Sequence, residues 1–277
     1  MSGTGWAMDG AWTGRTVVVT GASRGLGAAL AAGWLGRGAT VCAHASREAE
    51  RRLAPLAPGP EMAARLHPFS ADAARPGALG EAFRQLLRQG PTIDAVVFNH
   101  GATSLAADGT SIRVGPPSQF SADSLRDLIQ INALSTWEAL HELAQHWARA
   151  EATAENSRRR RAIVLLSSSG ALNPAVFDPV PYKISKSMLL QFVRDLAPEL
   201  ARFRVSLNAV SPGMIDGGMS HLAGVQEWRD DILRSIPMAR YGSEAELFEC
   251  VDFFLSGRAP FSTGNNLTLN GGAWIAC

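Results

Sequence analysis

Tyr182 and Lys186 stand four residues apart in the run Tyr182-Lys183-Ile184-Ser185-Lys186. Read as the opening turns of a helix, the run puts both on one face, within mutual reach. A free tyrosine titrates near ~10, too high for acid–base work at neutral pH. A lysine ammonium beside it favours the phenolate and pulls that value toward the working range. So read, the pair is a proton donor or acceptor with its own tuner. The spacing alone fits an exposed helix end equally well, so its meaning depends on the rest of the chain.

A second chemical feature lies near the start. Arg15-Thr16-Val17-Val18-Val19-Thr20 is a β-branched run that reads as a buried strand. It breaks into Gly21-Ala22-Ser23-Arg24-Gly25-Leu26-Gly27 and continues as an Ala/Leu-rich helix to about Gly36. Glycines between a strand and a helix let the backbone approach a pyrophosphate, and the helix N-terminus offers free N–H groups and partial positive charge. A tight turn without a ligand is the alternative, and the context favours a dinucleotide. The next strand, Ala39 to Ala43, runs into His44-Ala45-Ser46-Arg47, with no carboxylate before Glu48. An acid there would hold ribose hydroxyls. Arg47 and Arg24 instead offer guanidinium to a 2′-phosphate, which points to NADP(H) rather than NAD(H). Arg47 also fits the start of a solvated helix, Glu48 to Leu53.

The remaining elements alternate in the same way. Strands are predicted near Arg65–Ser70, Ile93–Phe98, Ala162–Leu166, Val205–Val210 and Asn266–Leu269, with helices near Ala78–Arg88, Ser121–Ala150, Tyr182–Pro198 and Glu244–Leu255. Asp72 follows the third strand, placed to reach an adenine edge or to cap the next helix. Asn99-His100-Gly101-Ala102 ends the fourth strand, and Ser167-Ser168-Ser169-Gly170 ends the fifth, where doubly wound sheets bind ligands. His100 reads as a packed or solvent-facing residue. Asn132 falls inside a long helix, where it is a mediocre helix former; buried there, it needs partners and distorts the helix, whereas on the surface it is unremarkable. Residues 103–120 form a polar Gly/Pro loop, 171–181 a proline-interrupted one, and 214–235 a segment suited to a substrate lid. Arg158 to Arg161 reads as a solvated loop.

Composition bounds the rest. The chain has 277 residues, formal net charge +1 and three cysteines, Cys42, Cys250 and Cys277, without metal-ligand spacing. Near-neutrality gives no pull toward nucleic acid or a membrane surface. An odd cysteine count suits a reducing compartment, and no apolar run approaches bilayer length. With no signal-peptide pattern at the start, the expectation is a cytoplasmic protein. Residues 1–14 read as a flexible lead-in, although Trp6 and Trp12 suit packing against the body, and 15–277 read as one α/β domain.

These motifs, in this order, resemble the short-chain dehydrogenase/reductases, and most closely the 3-oxoacyl-[acyl-carrier-protein] reductases. Thr20 to Gly27 fits TGxxxGxG, Asn99 to Ala102 fits NNAG with His in second place, and Tyr182 with Lys186 fits YxxxK. Asn132 matches the family's helix asparagine, Ser167–Ser169 its serine motif, and Pro212-Gly213 its PG turn. Ile236 to Gly242 resembles IPxxRxG, and Thr263 to Gly272 resembles TGxxxxxxGG. The resemblance covers about residues 13–277.

It implies a Rossmann-like, doubly wound α/β domain with a seven-stranded parallel sheet and helices on both faces, assembled as a homodimer or homotetramer. It implies carbonyl reduction, or the reverse, on a small-molecule substrate. Tyr182 would protonate the alkoxide, and Lys186 would tune Tyr182 and hold the nicotinamide ribose. A serine would bind the carbonyl oxygen, and Asn132 would hold a relay water. The strand frame Ala162 to Ser168 assigns that serine to Ser168, while the commoner spacing to Tyr182 assigns it to Ser169; strand direction favours Ser168. Gly21, Ser23, Arg24, Gly25, Leu26, Gly27, Ser46, Arg47, Asp72, Asn99, Gly101, Tyr182, Lys186, Pro212, Gly213 and Ile215 would line the dinucleotide. Leu165, His100 and Gly217 depart from the pattern; Gly217 stands where a threonine often touches cofactor phosphates. The alternative is a catalytically idle nucleotide sensor or scaffold, expected to lack the tyrosine, lysine or serine that this chain keeps.

Overall fold

The computed structural model describes residues 12–105, 112–113, 115, 117–150, 160–173, 179–221, 225–226 and 228–274. Seven short runs become strands: β1 (Thr16–Val19), β2 (Thr40–Ala45), β3 (Leu66–Ser70), β4 (Ala95–Phe98), β5 (Arg161–Leu166), β6 (Val205–Pro212) and β7 (Asn266–Leu269). They form one sheet in the order β3-β2-β1-β4-β5-β6-β7, with every neighbouring pair parallel. This is the expected Rossmann-like arrangement. The winding reverses between β1 and β4, so a crevice opens at the C-terminal ends of those two strands.

The central strands β1, β4 and β5 are buried along their whole length and almost wholly apolar because both faces of the sheet are covered there. Val17 and Val19 face one layer, with Leu30 and Trp34 of the helix Gly25–Gly36 and Leu247 and Val251 of the helix Glu244–Leu255. Val18, between them, faces the other layer. There it joins Phe83 of Ala78–Gln89, Leu143 of Ser135–Ala150 and Leu189 of Val180–Arg202. In β5, Ile163 and Leu165 face one side and Val164 and Leu166 the other.

Three expectations change. The long helix is interrupted: Ala122–Ile129 passes into a π-helical turn, Gln130–Leu134, before Ser135–Ala150 resumes. The Val180–Arg202 helix runs through Pro198, where its end was expected. Proline forfeits one backbone bond there, but Ala197 and Leu200 are buried against the sheet and that packing outweighs it. Arg158 and Arg159 lie outside the described residues; Arg161 is buried, opens β5 and stacks over Trp147 at 5.6 Å. The 214–235 segment holds a turn at Met219–His221 and a helix, Arg229–Ser235, and its Val225 and Ile232 pack with Ile236 and Tyr241 just beyond it into a small core.

Trp12 is fully buried, so the body begins before residue 15; Trp6 lies outside the described residues. The Trp12 indole and that of Trp34 donate to one oxygen of Asp252, at 2.8 and 3.2 Å. Arg37 and Arg258 donate to the other, at 3.0 and 3.1 Å. Asp252 is itself fully buried, and four donors make its charge tolerable. Removing one partner of such a cluster strands the others without an acceptor. Asp252→Ala is expected to cost about 3 kcal/mol or more, read as a lowered midpoint in urea unfolding; an unchanged midpoint would contradict this role.

Candidate active site

The crevice is built around Thr20, the residue after β1. Its Oγ1 accepts the backbone N–H of Asn99 at 3.0 Å and of His100 at 3.2 Å. Asn99 Nδ2 donates back to the carbonyls of Thr20 and Gly21, both at 3.1 Å. The loops after β1 and β4 are thus stitched together. Only glycine fits between them. Gly21 has φ +67°, and a Cβ there would lie 2.7 Å from His100 Cα; a Cβ on Gly27 would collide with the Gly21 carbonyl and Asn99 Nδ2.

The helix beginning at Gly25 has no side-chain cap at Arg24 and no acidic residue in its first turn. An uncapped N-terminus above a glycine turn is a ready anion site. Ser23 and Leu26 are half-buried beside it and Arg24 is exposed. These features fit a dinucleotide pyrophosphate.

Two histidines back this loop, and the sequence pattern flagged neither as a functional group. His44, in β2, donates through Nε2 to the Ala71 carbonyl at 2.8 Å, which leaves Nδ1 to accept the Gly21 N–H at 3.0 Å. His100 bridges Thr20 Oγ1 through Nδ1 and Ser135 Oγ through Nε2, each at 2.8 Å. The Ser135 hydroxyl already donates to the Ile131 carbonyl at 2.7 Å, so it accepts from His100. Both rings are therefore neutral, with the proton on Nε2. Burial lowers both pKa values, and His100 is pushed well down, with the Lys186 charge adding to the effect of burial.

On the other side of β4, the π-helical turn presents Asn132, fully buried. Its Nδ2 donates to the Ala102 carbonyl at 2.9 Å and to Ser185 Oγ at 2.8 Å, and its Oδ1 accepts the Ala102 N–H at 2.7 Å. Ser185 in turn donates to the Tyr182 carbonyl at 2.7 Å. Asn132 thus fixes both the β4 loop and the helix that carries Tyr182. Ser185, the residue inside the Tyr–Lys spacing, was not singled out from the sequence.

Tyr182 and Lys186 are both buried, one turn apart on that helix. Lys186 Nζ donates to the Leu166 carbonyl at 2.9 Å. Desolvation brings its pKa down to about 8. Gly101 leaves it room: a Cβ there would lie 3.2 Å from Nζ and 3.0 Å from Asn132 Oδ1. Of the serines, Ser167 faces this helix and donates to the Lys186 carbonyl at 2.9 Å. Ser168 continues the extended backbone of β5 and accepts the Gly170 N–H at 3.1 Å. Ser169 opens the following turn.

The other expected residues lie around the crevice. Pro212 ends β6, and the Gly213 N–H bonds Leu269 at 2.8 Å. Ile215 is buried and bridges to Gly242. Ser46 and Arg47 are exposed past β2. Asp72 does not cap the next helix; its Oδ1 takes the Ala74 N–H at 3.0 Å, closing a local turn, and Gly77 stands at the helix start. Among the described residues no cluster of His, Cys, Asp or Glu could hold a metal, and no helix is long and apolar enough to cross a membrane.

Residues 21–273 match a family model described as enoyl-(acyl carrier protein) reductase. The chain belongs to the short-chain dehydrogenase/reductase family. It is 29% identical to nodulation protein G of Rhizobium meliloti over 265 residues, 94% of this chain and 97% of that one. Identity to the 3-oxoacyl-[acyl-carrier-protein] reductase of Salmonella typhimurium is 27%, over 95% and 98% of the two chains. The crystal structure of the corresponding reductase from Brucella melitensis superimposes with a TM-score of 0.83 at 26% identity, covering 100% and 97%. That of a 3-oxoacyl (acyl-carrier-protein) reductase from Agrobacterium tumefaciens, with NADP bound, gives 0.79 at 25%, covering 96% and 97%. This short-chain dehydrogenase/reductase is accordingly an NAD(P)-dependent oxidoreductase of alcohol and carbonyl groups on small molecules.

The histidine pair makes stability depend on pH. Each ring is held neutral in the fold and titrates near its ordinary 6.5 when unfolded. Below that value the unfolded chain binds protons that the fold refuses, so stability falls as pH drops and is unaffected above it. Protonated His44 would also aim Nδ1–H at the Gly21 N–H. Thermal unfolding between pH ~7.5 and ~5 is expected to show this loss, with a flatter slope in a His44→Gln, His100→Asn double variant. Parallel slopes would refute it.

Proposed function

We propose that this enzyme is an NADP(H)-dependent carbonyl reductase that acts on 3-oxoacyl thioesters or chemically similar ketones, with Tyr182 as the proton donor. The observation that carries the reading is the buried Lys186 ammonium, one helical turn from Tyr182 and beside Asn132. A buried positive charge stabilises phenolate against phenol and makes Tyr182 a usable acid near neutral pH.

The roles follow from position. A dinucleotide on the glycine loop supplies the hydride. Ser168 donates to the substrate's carbonyl oxygen and steadies the developing charge. Tyr182 transfers its phenol proton to that oxygen as it becomes an alcohol. Lys186 stabilises the phenolate left behind and holds the nicotinamide ribose. Asn132 Oδ1 keeps a lone pair after accepting the Ala102 N–H, and from there it holds a water that reloads Tyr182. Ser168 is preferred to Ser169 because it keeps the direction of β5.

The NADP(H) preference rests on the loops after β1 and β2. Arg24 and Arg47 are both exposed. Glu48, the first carboxylate after β2, is drawn to Arg51 at 2.6 Å. The catalytic domain takes in Trp12 as well as the chain from residue 15 onward, and 214–235 act as its substrate lid. Exposed Leu134, Trp137 and Ile184, on neighbouring helices, support a homodimer or homotetramer. The unpaired Cys42 and Cys250 suit the cytoplasm.

Tyr182→Phe is expected to fold and bind cofactor but lose turnover by about three orders of magnitude, measured as nicotinamide oxidation; near-normal turnover would sink the assignment. Arg47→Ala is expected to weaken NADPH about tenfold with little change for NADH, in line with a charge-assisted phosphate contact. Equal losses in a pair of fluorescence titrations would exclude that contact.

A further inference from the structure

Residues Met214 to Gly218 cross over the glycine loop as a strap. The strap is tied to Gly242, which accepts the Asp216 N–H and donates to the Met214 carbonyl, both at 2.9 Å. At its far end the Gly217 carbonyl faces Gly25, the first residue of the loop's helix; a Cβ on Gly25 would lie 2.8 Å from that oxygen. Gly218 rests on Leu26, with its Cβ position 3.4 Å from that side chain. The strap therefore borders the anion site.

Glu244 lies against the outer side of Gly217. It is the first residue of the helix Glu244–Leu255 and is half-buried. Gly217 has φ +87°, and a Cβ there would run into the Glu244 carboxylate. The glutamate thus fills the volume a side chain at 217 would take, against the residue whose carbonyl faces Gly25. Among the described residues Glu244 forms no ion pair; Arg240, four residues earlier in the chain, is engaged by Glu246 at 2.6 Å. A carboxylate so close to a helix N-terminus that receives a pyrophosphate opposes that anion, and two like charges within a Debye length are not fully screened.

We propose that Glu244 is an affinity-limiting residue that holds the strap over the loop and limits, by charge repulsion, how tightly the dinucleotide is retained. This rests on the pyrophosphate binding at Gly21–Gly27. The repulsion acts on the diphosphate, which NADPH and NADH share, and so affects both alike. It is separate from any 2′-phosphate contact at Arg47.

Glu244→Gln keeps the volume and removes the charge; Glu244→Ala is the second variant, and thermal unfolding checks that each folds. Titrations with NADPH and NADH at low and raised salt are compared with wild type. Glu244→Gln is expected to bind both dinucleotides severalfold to about tenfold tighter at low salt, with the gain shrinking as salt is added. Equal or weaker binding by the folded variants overturns the proposal. A wild type that binds neither dinucleotide overturns the cofactor site itself, and the proposal with it.

Discussion

The site depends on keeping one ammonium group, Lys186 Nζ, dry. Burying a lysine charge is costly unless it is hydrogen-bonded and serves something. Here the Leu166 carbonyl at the end of β5 takes the hydrogen bond, and the pKa falls to about 8, so the group stays charged near neutral pH but only just. The surroundings answer to that charge. Gly101 gives it space, Ser167 fixes the backbone carbonyl of Lys186 itself, and the π-helical turn brings Asn132 alongside. Local irregularity of the helix is the cost of placing an amide where a regular helix would not reach.

The second half of the crevice solves a different problem, bringing the backbone turns after β1, β2 and β4 into close contact. It does so with glycine and with hydrogen bonds that tie adjacent strand ends. Thr20 and Asn99 join β1 to β4, and His44 joins β2 to the first glycine. The Asp252 cluster lies apart from the crevice and ties the start of the chain, through Trp12 and Trp34, to the helix Glu244–Leu255. That helix also carries Glu244, so the strap over the loop inherits its position from a buried ion cluster.

Much of this was legible in the sequence. Short runs between turn residues located all seven strands, most plainly the buried β1, β4 and β5, where a parallel sheet covered on both faces demands nearly continuous apolar residues. The glycine loop, the Tyr182–Lys186 pair and the distortion at Asn132 could be read from spacing and propensity. What escaped is tertiary. His44, Ser185 and Asp252 matter through partners roughly twenty to over two hundred residues away, and no local pattern announces them. The passage of a helix through Pro198 also depends on core packing, which overrides local preference. The strap against Glu244 pairs a glycine with an acid twenty-seven residues on, which spacing alone does not connect.

The most direct test is a fluorescence titration of the purified protein with NADPH and with NADH, followed by addition of an acetoacetyl thioester while the nicotinamide absorbance is followed. The expected result is binding that favours NADPH, then oxidation of the bound nicotinamide once the thioester is present. Binding of NADPH without turnover on the thioester or on any carbonyl in a wider panel would contradict the reductase reading and favour an idle nucleotide sensor built on the same fold.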